Sequence, residues 1–350
     1  MIYVELPPDI AAVPQPLPFY LAMEEHLARA FQGEYFFMWQ VQPTVIFGRN
    51  QVIDAEVNLP YCHTHGIATY RRKSGGGCVY ADMNNIMFSH ITTSHAVATT
   101  FAHYTSMVAD MLCRLGIAAR TTGRNDIMIG DRKVSGYAFY HINLRNTEQK
   151  SEAVSRAIVH GTMLYDADLP TMMQALTPSQ VKLNAKGVNS VRKHVTTIRE
   201  HSSVSLAKFK VFARSELCKE GTLMLTHADV VAIKQIAEPY FEDAWIYGKR
   251  HAKDEVRKMP VRIDGVGEFV IDLHTDGCSQ PHITALDLKG DFFLTADLDS
   301  NLIEPLIGCA VEESALLATL QKIPLENIIP NLKKEQLAHL IMKERQPETK

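Results

Sequence analysis

The stretch Arg71-Arg72-Lys73-Ser74-Gly75-Gly76-Gly77-Cys78-Val79-Tyr80 sets three consecutive glycines beside three cations, between two segments of strand character. Glycine loses more backbone entropy on folding than any other residue, so three in a row require a reason. One reason is close approach of a ligand to bare backbone N–H groups, which with nearby arginines would favour a carboxylate or a phosphate. The other is a flexible turn beside a solvated basic face, and the segment alone does not choose between them. No GK[ST] follows and no GxGxxG opens a helix, so it is neither a Walker loop nor a dinucleotide fingerprint.

The rest of the chain bounds the setting. Its 350 residues suit one large domain and one smaller one. Hydrophobic residues at 46%, charged residues at 21% and a net charge of -3 describe an ordinary globular protein without the basic excess of a nucleic-acid binder. The N-terminus lacks a positive region followed by an apolar one, and no stretch reaches the ~18 apolar residues of a membrane span. A cytoplasmic protein with neither membrane nor nucleic acid as partner is therefore expected. Cys62, Cys78, Cys113, Cys218, Cys278 and Cys309 are scattered without CxxC pairs, which suits reduced thiols.

Leu17, Tyr20, Leu21, Leu27 and Phe31 recur at helical spacing before Gly33, predicting an amphipathic helix over 17–32. Residues 35–47 read as strands. Thr99 and Thr100 are placed to cap a helix whose Phe101, Tyr104, Val108, Met111, Leu112 and Leu115 form one face, ended by Gly116. Shorter strands are predicted at 67–71, 78–80, 86–91, 127–129 and 133–134, the last two forming a hairpin about Gly130-Asp131. Residues 141–157 are polar and aperiodic and read as a surface connection. Helical patterns return at 203–219 and 227–240. After Trp245 a β-rich stretch precedes leucine-rich helices from Asn301, which places a boundary near residue 248.

Three further segments carry candidate chemistry. Asn125 and Asp126 could hold a hydrated Mg²⁺ through one carboxylate together with phosphate oxygens. Across the hairpin, Lys133 either turns inward or merely snorkels to solvent. His160-Gly161-Thr162 offers a histidine that alone reads as a hydrogen-bonded core residue. Lys186, Arg192, Lys193 and His194 gather around Gly187, as a loop closing over an anion would, or as a solvated basic loop would. Cys62-His63-Thr64-His65 lacks a second pair at zinc-site spacing.

Taken in order, RRKSGGGCVY, GRNDIMI, DRKVSGYAF, HGTMLYDADL and KGVNSVRKHVT resemble the motif series of lipoate-protein ligases, over about Pro43 to Thr196. Gly290-Asp291-Phe292-Phe293 is similar to a motif of that family's accessory domain. The resemblance implies a catalytic domain of the biotin and lipoate ligase type over 1–248, an α+β fold with a mixed, mainly antiparallel sheet flanked by helices. A small α+β accessory domain over 249–350 would follow. The implied activity joins lipoic acid and ATP, with Mg²⁺, into lipoyl-AMP. The lipoyl group then passes to a lysine of an apo lipoyl domain of a 2-oxoacid dehydrogenase E2 subunit, or of the glycine-cleavage H protein.

Carried over by position, Lys133 is the catalytic residue, and Arg72, Gly77, Cys78, Val79, Tyr80, Asn125, Asp126 and Lys133 hold ATP, with Asp126 the Mg²⁺ candidate. Arg72, Ser74, Gly75, Gly76, Gly77, Lys133, Ser135, Gly136, His160 and Gly161 line the lipoate site. Lys186, Gly187, Val188, Ser190, Arg192, Val195 and Thr196 form the loop over the adenylate. The chemistry suits these residue types, because a carboxylate repelled by a triphosphate needs fixed positive charge where the two anions meet. Amidotransferases of the same fold use a cysteine, but none occurs between Cys113 and Cys218, which leaves Cys78 as that alternative's candidate. A second alternative is a lipoate-binding homologue without turnover. Two departures from the family pattern stand out: Ala81 where a histidine is frequent, and Tyr137 where a small residue is usual. A ring at 137 near Lys133 would narrow the acyl pocket or alter its polarity.

Overall fold

The structure, a computed structural model, describes residues 1–93, 97–122, 125–144, 154–176, 195–247, 260–296 and 298–345. Two units emerge. The first holds Met1–Phe47, Ile53–Lys73 and Cys78–Lys249; the second holds Gly48–Val52, Ser74–Gly77 and Arg250–Lys350. Two short segments of the N-terminal half thus group with the C-terminal residues.

Strands of the first unit are β1 (Ile2–Glu5), β2 (Tyr35–Trp39), β3 (Thr44–Phe47), β4 (Ala68–Arg71), β5 (Val79–Ala81) and β6 (Asn85–Thr93). They continue with β7 (Ala119–Thr121), β8 (Asp126–Ile129), β9 (Arg132–Leu144), β10 (Val154–Leu164) and β11 (Thr222–Met224). Eight of these form one sheet in the order β11-β1-β2-β6-β10-β9-β8-β7, and β4-β3-β5 form another. In the large sheet β1 runs parallel to β11 and β2, and every other neighbouring pair is antiparallel. The sheet is mixed and mainly antiparallel, with helices on both faces.

Period-two alternation decides which side chains meet which helices. Tyr35, Phe37 and Trp39 of β2, Met87 and Ile91 of β6, and Ile158 of β10 face one way, into a core with the helices Leu17–Ala30 and His227–Ala237. Phe36, Phe88, Phe139, Val159 and Met163 face the other way, onto Val97–Arg114 and Leu206–Leu217. The helix expected from a cap at Thr99 or Thr100 begins at Val97, with both threonines inside it.

Residues 141–157 overturn the surface-connection reading. Its described parts, 141–144 and 154–157, extend β9 and β10 as paired strands, while 145–153 lie outside the described residues. Polar residues are carried there because they find partners: His141 Nδ1 lies 2.8 Å from Ser155 Oγ, and the buried Arg156 donates to Gly33 O at 2.8 Å and Thr93 Oγ1 at 2.5 Å.

The second unit has a sheet of β12 (Val261–Ile263), β13 (Gly267–Thr275) and β14 (Ile283–Phe292), antiparallel throughout, with helices Glu313–Leu320 and Lys334–Arg345. Phe269 and Phe292 stack at 4.8 Å in its core with Leu302, Leu316, Leu337 and Ile341. Here the glycine run acquires a physical reason. Gly76 N–H donates to Phe292 O at 3.1 Å, and a Cβ on Gly75 would lie 2.4 Å from that same oxygen. At Gly75 that close approach is made by the chain's own strand end, an occupant that neither sequence reading considered. Among the described residues, no helix is long and apolar enough to cross a membrane.

Candidate functional site

Lys133 owes its direction to an irregularity in the β8–β9 hairpin. The turn at Gly130, with φ 58°, returns the chain, but the register shifts between Ile127 and Met128: Ile127 pairs with Ser135 and Met128 with Lys133. Val134 is therefore the extra residue of a β-bulge, which moves Lys133 to the opposite face from the one strict alternation would give. It shares that face with Gly136, where a Cβ would stand 2.4 Å from the Lys133 ammonium. Asp126, paired with Gly136 across the hairpin, places Oδ1 2.6 Å from Lys133 Nζ. Lys133 thus turns inward onto a carboxylate, with its side chain about one-fifth exposed.

The same bulge overturns the expectation for Tyr137. Its ring lies on the other face, edge-on to Tyr104 at 5.4 Å and against Gly161, where a Cβ would meet the ring at 2.3 Å. The bulky residue at 137 fills the core beneath the sheet and does not narrow the space at Lys133. Ser135 lies on Tyr137's side, buried, donating from Oγ to Thr162 O at 2.5 Å. Asn125 bridges to the same strand, accepting from Tyr137 N–H at 2.8 Å and donating from Nδ2 to Tyr137 O at 3.1 Å.

His160 pairs with Ala138 across β9 and β10, which puts it on Lys133's face of the sheet. There a buried polar chain runs from the Leu17–Ala30 helix into the strands. His160 Nδ1 donates to Glu24 Oε2 at 2.9 Å, Ser89 Oγ donates to Glu24 Oε1 at 2.6 Å, and Trp39 Nε1 donates to Ser89 Oγ at 2.8 Å. Glu24 and Ser89 are 0% exposed. Sequence reading missed Glu24, Ser89 and Trp39. A signal for Glu24 exists, since it stands three residues after Leu21 and three before Leu27, a carboxylate in the middle of an apolar stripe.

The three cations ahead of the glycine run have protein partners. Arg71 stacks over Phe47 at 4.6 Å and donates from Nε to Trp245 O at 2.9 Å; burial pulls its guanidinium down to about 10. Arg72 is buried, with Nη1 donating to Ile46 O at 3.2 Å. Lys73 Nζ meets the buried Glu25 at 2.6 Å, and Tyr240 donates its hydroxyl to the same oxygen at 2.5 Å. Cys78 is half-buried, and Val79 and Tyr80 pair with β3, Tyr80 being buried in a cluster that also holds Val195.

Lys186, Gly187, Val188, Ser190 and Arg192 lie outside the described residues. Val195 and Thr196 do meet Lys133: Val195 forms a parallel bridge with it, and Thr196 N–H donates to Lys133 O at 2.9 Å. The structure therefore gathers Lys133, Asp126, Gly136, Val195 and Thr196. Among the described residues no three His, Cys, Asp or Glu converge on a metal position, so Asp126 offers a single carboxylate. That donor suits a Mg²⁺ that keeps waters and phosphate oxygens, and does not suit a protein cage.

Residues 16–217 match the family model of the lipoyl protein ligase A/B catalytic domain. The chain belongs to that ligase family. Residues 246–341 match a second model, the bacterial lipoate protein ligase C-terminus. It is 30% identical over 330 residues to lipoate–protein ligase 1 of Staphylococcus aureus, covering 92% of this chain and 95% of the relative. The family fold is shared with P. falciparum LipL1, crystallised with lipoate, at TM-score 0.72 and 17% identity, over 98% of this chain and 99% of that one. A lipoate-protein ligase A bound with ATP matches at TM-score 0.57 and 22% identity, over 71% of this chain and 98% of that one.

Proposed function

We propose that the chain is an ATP-dependent lipoate–protein ligase: it forms lipoyl-AMP from lipoate and ATP and transfers the lipoyl group to an acceptor lysine. The observation that carries this is the inward ammonium of Lys133, held by Asp126 on a sheet face cleared by Gly136. Family membership, and relatives named for lipoate and ATP, support the same reading. An oxygen of the lipoate carboxylate attacks the α-phosphorus and pyrophosphate leaves. The acceptor amine then attacks the acyl carbon, loses a proton, and AMP leaves. Both steps pass through anionic oxygens that a fixed cation stabilises more in the transition state than in the ground state.

Asp126 would hold Mg²⁺ together with phosphate oxygens, and the ion would supply further neutralising charge. Acceptors of the lipoyl-domain class, on E2 subunits or the glycine-cleavage H protein, fit the reading, with Arg72 and residues 74–80 at the nucleotide and acyl groups and 186–196 over the adenylate. With lipoate, ATP and Mg²⁺, an apo lipoyl domain should gain a lipoyl group, and omission of ATP should abolish the gain. Transfer from a lipoylated donor without nucleotide would replace this reading with an amidotransferase.

Gly136→Ala tests the cleared face. Its methyl would displace the flexible end of Lys133, so adenylate formation should fall about a hundredfold, the scale of a 1 Å misplacement, while melting temperature moves little. Pyrophosphate release and thermal unfolding measure the two. An active Gly136→Ala enzyme would show that the ammonium need not stand there.

A further inference from the structure

Lys133 lies where its strand loses a neighbour. Pairing between β9 and β10 ends at Ser135 with Met163, whereas β8 continues alongside β9 to Met128 and Lys133 and on to Ile129 and Arg132. On the side that β10 has left, the Lys133 carbonyl takes its hydrogen bond from Thr196 N–H at 2.9 Å. The segment making that bond is anchored by the buried Ile198 and by Arg199 N–H, which donates to Tyr165 O at 3.0 Å.

One side chain links this segment to the strand next to Lys133. Glu200 Oε2 accepts from Arg132 Nη1 at 2.7 Å, and its Oε1 accepts from Thr197 N–H at 3.2 Å. Thr196 is fixed in turn, its Oγ1 lying 2.8 Å from His201 Nε2. Partial burial disfavours the Glu200 carboxylate, but Arg132, the Thr196 hydroxyl and the Thr197 N–H outweigh it and hold the group below its usual range. Arg132 and Glu200 are each about 40% exposed, and such pairs contribute little to global stability.

We propose that Glu200 is a positioning residue for Lys133, holding 195–197 against the bulged end of β9 so that the ammonium keeps its direction. Glu200 touches no reacting group and acts through Arg132, Thr196 and Thr197. This rests on the reading that Lys133 serves lipoate adenylation. A bulge has no full ladder to fix its geometry, so the bridge from Thr196 and the link from Glu200 supply what β10 does not.

The test uses the full chain, with pyrophosphate release from lipoate and ATP as readout. Glu200→Ala should lower kcat about tenfold while KM for lipoate stays within about twofold, as expected for lost orientation without lost binding. Melting temperature should hold. Glu200→Gln offers its one oxygen to either Arg132 or Thr197 N–H and turns an amide N–H to the other donor, so it should lose most of what Glu200→Ala loses. Arg132→Gln breaks the same link from the strand and should match Glu200→Ala, and the double variant should be no worse than either, since both remove one interaction.

Glu216→Ala, which removes a 2.6 Å pair with Arg114 that joins the helices Leu206–Leu217 and Val97–Arg114, should leave kcat unchanged. Wild-type kcat in both Glu200→Ala and Arg132→Gln overturns the proposal, as does a fall that only tracks melting temperature. A wild-type chain releasing no pyrophosphate would instead overturn the adenylation reading beneath it.

Discussion

Lys133→Met is expected to lower lipoate-dependent pyrophosphate release by about a thousandfold. A unit charge about 4 Å from another is worth ~4 kcal/mol at an effective dielectric near 20, and each ~1.4 kcal/mol on a barrier is tenfold in rate. Methionine keeps the length of the aliphatic stem and removes the charge, so packing beside Gly136 survives while the ammonium is lost. Stability should fall as well, because the pair is largely buried, with the Lys133 side chain 22% exposed and Asp126 19%, and the variant leaves the carboxylate without that ammonium. The loss should fall on kcat, since the charge meets oxygens whose negative charge grows toward the transition state. Transfer from preformed lipoyl-AMP to the acceptor should also slow, because the leaving phosphate lies where the same cation acts. A variant retaining a tenth of the wild-type rate would remove Lys133 from the centre of the chemistry.

The inward turn of Lys133 is also the part of the site least readable from residues alone. Strict alternation along 133–139 puts Lys133, Ser135 and Tyr137 on one face, where a ring at 137 would stand beside the ammonium. The bulge at Val134 separates them, and nothing in the residues Lys133-Val134-Ser135-Gly136 announces an extra residue. By contrast, the strand at 35–39 is legible as a strand, because burial on both sheet faces forces apolar residues at every position, while the same uniformity hides which side Phe36 takes against Tyr35, Phe37 and Trp39.

Partners decide the remaining differences. Residues 141–157 look like a connection because polar side chains occupy strand positions, but His141 finds Ser155 and Arg156 finds Gly33 and Thr93. The glycine run is visible at once, whereas Phe292, whose carbonyl it receives, lies more than 200 residues away in sequence. Composition reveals that a position is unusual; only the fold reveals which long-range group makes it so.

Glu24 shows how such a partner carries stability. Glu24→Ala leaves the Ser89 hydroxyl and His160 Nδ1 without the carboxylate that each now meets, inside a 0% exposed site. A buried polar group left unsatisfied costs roughly 1–3 kcal/mol, so the two together should cost about 3 kcal/mol. For a unit of this size that corresponds to a fall in melting temperature of roughly 6–12 °C. Glu24→Gln keeps an oxygen for Ser89 and the local volume, so its loss should be about a third as large. Because Glu24 also fixes the His160 ring on the face that Lys133 shares, Glu24→Ala should raise KM for lipoate more than it lowers kcat, the opposite split from Lys133→Met. Thermal unfolding and steady-state kinetics on the same preparations measure both effects. A Glu24→Ala protein melting within about 2 °C of wild type would mean that water or a rearranged Trp39 satisfies the chain, which two unsatisfied buried groups do not allow.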